Sequence, residues 1–259
     1  MKKSKLQIIK IGGEVINNET KLSSFLKDFS SMKGAKILVH GGGRKTTEMA
    51  EKMGVRSEMV NGRRITNQAN LDLATMVYAG LLNKQIIAHL QKFNCNALGL
   101  SGADANCISA GKRPVTKNID YGFAGDINKV NTNTINLFLN NNITPVFCAI
   151  THTKNGQLLN TNADTVASEI AVAMSTNYKS HLHFVFEYPG VLSNIKNTAS
   201  VIPHITFNEY EKLIQKGIIT GGMLPKLHNC FNALEKGVQK VKIGNVNTIN
   251  SNGHTTLSL

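Results

Sequence analysis

A lysine beside paired glycines is the first place where residue types and spacing in this sequence could support chemistry. Lys10 precedes Gly12-Gly13 at the end of a short apolar run, and a second glycine turn, Gly41-Gly42-Gly43, follows another such run. Successive glycines let backbone amides approach phosphate oxygens with no Cβ in the way, and the lysine adds a mobile positive charge. Either turn alone is more often a packing feature. Two turns at strand ends favour phosphate binding and phosphoryl transfer.

Two asparagines form a second group of candidate residues. Asn160 and Asn162 precede residues 163–174, whose apolar positions follow the i, i+3, i+4, i+7 spacing of a helix with one buried face. Asparagine caps the free amides at a helix N-terminus, and anions are favoured at the same place. The sequence therefore predicts a helix beginning just after Asn162, with both asparagines at its N-terminal end.

The elements that must position these residues alternate between strand-like and helix-like patterns along the whole chain. Six short, mostly apolar runs predict strands, at 6–11, 36–39, 96–100, 143–147, 183–186 and 238–243. Helical patterns separate the runs. This alternation predicts an α/β fold, a three-layer α/β/α sandwich with a mainly parallel central sheet. Ligands of such sheets bind at the carboxyl ends of the strands, where both glycine turns lie.

Three further segments bear on the predicted architecture. Residues 55–65 and 121–130 carry glycine and polar alternation, and we expect two hairpins that lie over the end of the sheet as lids. Residues 68–90 predict a helix that is apolar around most of its circumference, so that two sides are buried. One side can meet the sheet, and the other can meet a second subunit or a thick layer of the same chain. We expect one domain, 1–259, with lobes of about 1–175 and 176–259 sharing a continuous sheet.

Composition narrows the functional classes. Hydrophobic residues make up 41% and charged residues 17%, as in globular proteins, and no apolar run approaches the length of a membrane span. The net charge of +13 comes mostly from dispersed lysines, without a basic stripe and with no tryptophan, so we expect no nucleic-acid partner. The four cysteines lie far apart without metal-ligand spacing, and the N-terminus lacks a secretion signal, which together predict a cytoplasmic protein without a metal centre.

Five segments taken together carry a resemblance to a known family. They are 10–13 (KIGG), 39–43 (VHGGG), 61–66 (NGRRIT), 159–164 (LNTNAD) and 217–223 (GIITGGM), the last followed by Lys226. In this order they resemble the amino acid kinase family over nearly the whole chain. The asparagine-rich segment 159–164 and the NGxRxT segment resemble those of the members that act on N-acylated glutamate. Carbamate kinases, aspartokinases and uridylate kinases share the lysine-glycine turn but lack that pair of segments.

The resemblance implies an activity. The γ-phosphoryl group of ATP, accompanied by Mg²⁺, is transferred to the side-chain carboxylate of N-acetyl-L-glutamate in arginine biosynthesis, giving an acyl phosphate and ADP. Because that carboxylate is ionised at pH 7, no general base is needed, and catalysis reduces to holding two anions in line and neutralising their charge. Two alternatives stay open: N-succinyl-L-glutamate as the substrate, and a nonenzymatic nucleotide or nucleic-acid binding regulator with the same fold.

The resemblance also implies roles for individual residues. Lys10 and Lys226 match the two lysines that clamp the transferring group, and Asp164 matches the aspartate that orients them. Arg64 matches an arginine that forks onto the substrate α-carboxylate, for which a planar bidentate donor is suited. The implied substrate-binding residues are Gly42, Gly43, Arg64, Asn160 and Asn162. The implied ATP-binding residues are Gly12, Gly13, Glu187 and Met223.

Two departures from the family pattern affect these expectations. At 186–190 the chain reads Phe-Glu-Tyr-Pro-Gly where an Asp-Val pair usually precedes Pro-Gly, so Glu187 is one methylene longer than the usual acceptor. Ala124 stands where we expect valine, which enlarges the acyl pocket. A longer acyl group with a carboxylate would need a cationic partner, and Lys112, Arg113 and Lys129 are nearby in sequence.

The resemblance extends to assembly. The helix predicted at 68–90 resembles the dimer-forming helix of the family, so we expect a homodimer. Only residues 1–5 precede the first strand, whereas arginine-inhibited members carry an additional N-terminal helix that joins dimers into rings. We therefore expect neither a hexamer nor inhibition by arginine.

Overall fold

A computed structural model describes residues 3–60, 63–116, 118–221, 223–249 and 253–259. Strands and helices alternate along the chain. The strands are β1 (Lys5–Ile11), β2 (Ala35–His40), β3 (Glu58–Val60), β4 (Arg63–Ile65), β5 (Ala97–Leu100), β6 (Ile108–Lys112), β7 (Gly125–Val130), β8 (Thr144–Phe147), β9 (Ile150–His152), β10 (Leu158–Asn160), β11 (Lys179–Val185), β12 (His204–Thr206), β13 (Lys240–Gly244) and β14 (Thr255–Ser258). The α-helices are α1 (Gly13–Ile16), α2 (Glu19–Ser31), α3 (Gly43–Lys52), α4 (Gln68–Thr75), α5 (Asn83–Lys92), α6 (Thr132–Asn140), α7 (Ala163–Met174), α8 (Phe207–Gln215) and α9 (Met223–Glu235).

The central sheet has the order β12-β14-β13-β11-β1-β2-β8-β5. Neighbouring strands are parallel except β13 and β14, which pair antiparallel. All six strands predicted from sequence lie in this sheet, as β1, β2, β5, β8, β11 and β13. The predicted α/β fold with a mainly parallel sheet is confirmed. The pairing of β1 with β11 carries the sheet without a break across the predicted lobe boundary.

Helices cover both faces of the sheet because successive apolar residues in each strand point to opposite sides. In β1, Ile8 joins a core cluster with residues of α6, α7, α8 and α9, whereas Ile9 joins a second cluster with residues of α1, α2, α3 and the helices that follow β4. Both side chains are fully buried. The two clusters are the two interfaces of a three-layer sandwich. No helix among the described residues is long and apolar enough to cross a membrane.

The predicted helix at 68–90 is present and runs from 68 to 92. α4 and α5 are joined by a π-helical stretch, Met76–Leu82, which widens the middle of the helix. One side, with Val77 and Leu82, is buried in the core cluster of α2. On the other side, Met76 is 53% and Leu81 40% exposed, so the same chain does not cover the second apolar side.

Of the two predicted hairpins, one is confirmed and one is wrong. β3 pairs antiparallel with β4, and Asn61 and Gly62, which separate them in sequence, lie outside the described residues. Residues 121–130 are not a hairpin by themselves. β7 pairs with β6, and both belong to a second sheet of order β10-β9-β6-β7. Gly122 lies in the long connection between β6 and β7, and Gly125 begins β7. Gly122 has φ +64° and packs directly on the Thr66 carbonyl.

Candidate active site

A cavity of about 240 Å³ lies at the carboxyl ends of β1 and β2, under the hairpin and the connection between β6 and β7. It brings together nine of the twelve site residues predicted from sequence. They are Lys10, Gly12, Gly13, Gly42, Gly43, Arg64, Asn160, Asn162 and Asp164. Glu187, Met223 and Lys226 do not line this cavity.

Lys10 is a buried cation of the cavity. It is the penultimate residue of β1, its exposed fraction is 8%, and its Nζ lies 2.7 Å from Oδ1 of Asp164. Asp164 is in the first turn of α7, which crosses the sheet next to β1. A buried ammonium group is costly unless a counter-charge is close, and Asp164 supplies that charge while fixing the direction of the lysine. The predicted orienting contact between Asp164 and Lys10 is therefore present.

The second glycine turn is held closely against the π-helical stretch. A Cβ placed on Gly42 would lie 2.6 Å from Cδ1 of Leu82 and 2.7 Å from Cδ1 of Tyr78, so glycine is required by packing. Gly42 precedes the first turn of α3 and provides no side-chain cap. The first amides of α3 have no acceptor within the helix, and Gly42 supplies none from a side chain. Such amides bind anions.

His40 and Asn83 fix the strand end that leads into this turn. The ring of His40 is fully buried; its Nδ1 is 2.8 Å from the Gly41 carbonyl oxygen and its Nε2 is 3.0 Å from Nδ2 of Asn83. Burial lowers the pKa of His40 to about 4, so the ring is neutral at pH 7. A neutral ring with Nδ1–H donating to Gly41 and Nε2 accepting from Asn83 satisfies both contacts. Sequence reasoning missed Asn83, since nothing near it in sequence marks it as a partner of residue 40.

Arg64 lines the cavity and has an unused hydrogen-bond donor. Its exposed fraction is 7%, and its Nη2 donates to the Gly43 carbonyl oxygen and to Oγ1 of Thr47 at 3.2 and 2.9 Å. Its Nη1 is buried without a hydrogen-bond partner. An unpaired buried guanidinium nitrogen is costly in a protein interior and fits an anionic oxygen of a ligand.

The two asparagines have different roles. Asn162 caps α7 as predicted, because its Oδ1 accepts from the amides of Asp164 and Thr165 at 2.9 and 3.1 Å. Asn160 is the last residue of β10, not part of a cap, and its Nδ2 donates to Oγ1 of Thr66. Both line the cavity, and Asn160 joins the loop after the hairpin to the strand before α7.

Lys226 approaches the site from α9, across an aromatic ring. Its Nζ lies 4.3 Å from the centroid of the Phe186 ring, and Nζ of Lys10 lies 5.7 Å from the same centroid. Phe186 directly follows β11. Lys10 belongs to the predicted N-lobe and Lys226 to the predicted C-lobe, so a lysine from each lobe approaches this ring. Glu187 is exposed, and Met223 begins α9 against the core cluster of α7. Gly222 lies outside the described residues.

The wall of the cavity that contains Ala124 holds two further arginines. Arg63 and Arg113 line it together with Ala124, and Arg113 is bidentate on Asp126. Burial and the charge of Arg113 lower the pKa of Arg63. Of the other cations considered from sequence, Lys112 is exposed and pairs with Asp120, while Lys129 lines a separate surface depression. Sequence reasoning missed Arg63, although it directly precedes Arg64.

The donors in the cavity fit a nucleotide that brings its own metal ion. The described residues contain no group of three histidine, cysteine, aspartate or glutamate side chains that could hold a metal. Asp164 is the carboxylate lining the described cavity, and it is engaged by Lys10. Such a set suits Mg²⁺ held mainly by the phosphates and water.

Comparisons with known proteins show the family to which the chain belongs. The acetylglutamate kinase of Cytophaga hutchinsonii is 51% identical over 92% of this chain and 90% of its own length. That of Phocaeicola vulgatus is 47% identical over 98% of this chain and 99% of its own. A Giardia carbamate kinase structure superposes with a TM-score of 0.72 over 98% of this chain and 99% of its own, at 12% identity, which shows the fold alone. The model of the amino acid kinase family matches residues 5–245, and the chain belongs to that family.

Proposed function

We propose that this chain is a transferase that moves the γ-phosphoryl group of ATP to the side-chain carboxylate of N-acetyl-L-glutamate, in arginine biosynthesis. Relatives named acetylglutamate kinase match 46–51% of residues over nearly the whole chain, which supports the substrate. The observation that carries the proposal is the pairing of two groups in one cavity: Lys10 fixed by Asp164, and the unpartnered Nη1 of Arg64.

The proposed roles follow from the position of each group. Arg64 binds the α-carboxylate through Nη1, while Asn160 holds the wall of the same pocket. Lys10 neutralises charge on the transferring phosphoryl group, and the amides at Gly43 and Gly12 donate to its oxygens. Lys226 approaches the same group from the other lobe. Because the accepting carboxylate is already ionised, stabilising charge and holding the reactants in line account for the catalysis.

In this proposal, each lobe binds one of the two substrates. The N-lobe, about 1–175, binds acylglutamate in the cavity, and the C-lobe, about 176–259, binds ATP through Glu187 and Met223. Mg²⁺ bound with ATP would neutralise charge on its phosphates. The absence of a nucleic-acid partner and a cytoplasmic location both stay predictions from composition.

The activity is tested by trapping the acyl phosphate. Purified protein with ATP, Mg²⁺ and N-acetyl-L-glutamate in hydroxylamine is expected to form the hydroxamate, and Lys10→Ala should abolish the signal. A wild-type protein that folds yet forms no hydroxamate with any N-acylglutamate would contradict the proposal. Steep salt-dependent binding to arbitrary DNA by the same protein would instead support the regulator considered from sequence.

The arginines beside Ala124 favour a second candidate substrate, N-succinyl-L-glutamate. N-acetylglutamate has two carboxylates, for which Arg64 and the lysines suffice. Arg63 forms no ion pair with a described residue; among its charged neighbours, Arg113 lowers its pKa, and Asp126, which pairs with Arg113, raises it. A carboxylate at the end of a longer acyl group would lie between Arg63 and Arg113 and relieve their repulsion. Ala124, which lines the same cavity, is smaller than the valine expected there and leaves more room for a longer acyl group.

Measuring kcat/KM for both acylglutamates decides between them. A preference of tenfold or more for the succinyl compound would show that N-acetylglutamate is the wrong assignment. If Arg63 meets the additional carboxylate, Arg63→Gln should lower kcat/KM for the succinyl compound at least about tenfold and leave that for the acetyl compound nearly unchanged. An equal loss for both compounds would place Arg63 outside acyl recognition.

We propose a homodimer formed through the helix at 68–92. Met76 and Leu81 give this helix an exposed apolar side, and exposed apolar patches mark association surfaces. Sedimentation is expected to show a dimer, and Met76→Asp with Leu81→Asp should yield a folded monomer. Leu137→Asp, at another exposed leucine, is the matched control. A wild-type monomer would contradict the assignment.

A further inference from the structure

Phe186 is positioned more firmly than its place in a loop suggests. Its ring stacks on that of Phe184 with centroids 5.9 Å apart and planes inclined by 3°. Its amide donates to the Gly244 carbonyl oxygen at 2.7 Å, which ties the residue after β11 to the end of β13. Phe184 is nearly fully buried, so the ring of Phe186 rests on a rigid support.

The two lysines that share this ring are held in different ways. Lys10 has the carboxylate of Asp164 at 2.7 Å and only a distant approach to the ring. Lys226 has no ion pair with a described residue, and its exposed ammonium group lies 4.3 Å from the ring centroid. The attraction of a cation for an aromatic face is therefore the interaction that fixes Lys226 in this structure.

A ring suits this lysine better than a carboxylate would. A carboxylate beside Lys226 would neutralise the charge that the phosphoryl group needs and would itself repel phosphate. An aromatic face directs the ammonium group without cancelling its charge, and the contact is weak enough for a phosphate oxygen to replace. The lysine is thus held near the reaction centre until the nucleotide is bound.

We propose that Phe186 is the positioning residue for Lys226, holding its ammonium group over the ring face and releasing it to the nucleotide phosphates. The proposal rests on the proposed function, in which Lys226 stabilises the transferring group. Phe186 itself does not touch the reacting atoms. It acts through Lys226, and the coupling between the two residues can be measured.

A double-mutant cycle provides the kinetic test. Phe186→Leu keeps an apolar side chain but removes the ring, and we expect kcat to fall about fivefold or more with little change in KM for the acylglutamate. Phe186→Tyr keeps the ring and should retain near-normal kcat. In the Lys226→Ala background, Phe186→Leu should change kcat less than twofold, because the group through which it acts is gone.

Two kinetic outcomes would overturn the proposal. Equal losses in Phe186→Leu and Phe186→Tyr would show that the ring face is not what matters. Additive losses with Lys226→Ala would show that Phe186 acts elsewhere. Phe93→Leu, which removes a ring that Lys92 approaches at 5.9 Å outside the site, is the matched control and should leave kcat unchanged.

A spectroscopic test separates failure of this proposal from failure of the proposed function. The chain has no tryptophan, so Phe186→Trp introduces a single tryptophan, whose emission can be excited apart from that of the tyrosines, at the ring position. A non-hydrolysable ATP analogue should change its emission as Lys226 moves away, and the added Lys226→Ala should reduce that change by at least half. An identical change in both backgrounds would overturn the proposal, whether or not any acylglutamate is phosphorylated.

Discussion

At the scale of single residues, the three cations with proposed roles in the reaction are each held by a different kind of partner. Lys10 is fixed by Asp164, Lys226 by the Phe186 ring, and Arg64 by neutral oxygens of Gly43 and Thr47 that leave Nη1 unused. Of these three cations, only Lys10 is paired with a carboxylate. The site therefore retains net positive charge where two anionic substrates must meet.

The two lysines are the most direct test at this scale. Lys10→Ala and Lys226→Ala should each lower kcat at least about 100-fold, because one donor that stabilises charge in a transition state contributes roughly 3 kcal/mol. Steady-state kinetics with saturating ATP and acylglutamate measure the effect. Lys92→Ala, another lysine over an aromatic ring, serves as the control, and near-normal turnover in both active-site variants would remove their assigned roles.

Arg64 should act on binding more than on chemistry. A lysine at this position cannot make two parallel hydrogen bonds, so Arg64→Lys is expected to raise KM for the acylglutamate with a smaller effect on kcat. Arg44→Lys, an exposed arginine paired with Glu14, should change neither constant appreciably. A loss confined to kcat would place Arg64 at the phosphoryl group instead of the α-carboxylate.

Sequence predicted the residues of the site better than their contacts. Lys10, Asp164 and Arg64 fall within motifs, and the cap by Asn162 follows from helix periodicity. The approach of Phe186 to Lys226 depends on how β11 and α9 meet in space, and no spacing along the chain encodes that distance. The sequence does not predict the approach of Arg63, in β4, to Arg113, just after β6, for the same reason.

At the scale of elements, the π-helical stretch determines where the second glycine turn lies. Tyr78 and Leu82 lie directly against Gly42, and Asn83 reaches the ring of His40 just before the turn. Gly99 in β5 leaves room for the same asparagine, since a Cβ there would lie 1.9 Å from its Oδ1. The proposed dimer helix and the second glycine turn are therefore in direct contact.

A pair of glycine substitutions tests this packing. Gly42→Ala should displace the turn and lower kcat/KM at least about tenfold, with a loss of stability of about 1–3 kcal/mol from overpacking. Gly80→Ala, in the helix that packs against Gly42, has nothing within 4 Å of the added Cβ in one protomer, and in the Met76→Asp/Leu81→Asp monomer it should be neutral or stabilising by up to about 1 kcal/mol. Denaturant titration measures the stability of each variant, and steady-state kinetics measure its kcat/KM. Equal effects of the two substitutions would contradict the packing argument.

The elements that the sequence failed to predict are short or polar. The six parallel strands are nearly continuous apolar runs, which a strand buried on both faces produces. β6 (ISAGK) and β7 (GDINKV) alternate polar residues and contain glycine, so their pairing appears only once the fold brings them together. β14 was missed because its four residues give too short a pattern.

At the scale of the whole molecule, buried neutral histidines make stability depend on pH. Burial lowers the pKa of His40 to about 4, and burial with nearby Lys242 lowers that of His183 to about 3. Between these values and the ordinary pKa of about 6.5, the unfolded chain binds more protons than the folded chain. Stability should therefore fall as pH falls from about 6.5 towards 4.

His183→Leu isolates this effect. The side chain of His183 is 2% exposed and neither ring nitrogen has a hydrogen-bond partner, so leucine should raise the free energy of unfolding by about 1 kcal/mol at pH 7. The gain should grow to about 3 kcal/mol by pH 5, since the variant has no ring to protonate on unfolding. Urea titrations at both pH values measure it, and a gain independent of pH would contradict the explanation.

The central place of β1 also has a consequence for synthesis on the ribosome. β1 pairs with β2 soon after it is made, but its other edge pairs with β11, whose residues follow about 170 positions later. At roughly 5–20 residues per second, that edge waits on the order of ten to thirty seconds for its partner. An unpaired apolar strand is prone to join other chains during such an interval. The nascent protein is therefore expected to depend on chaperones until β11 emerges, and slower translation of residues 12–178 should lower its soluble yield.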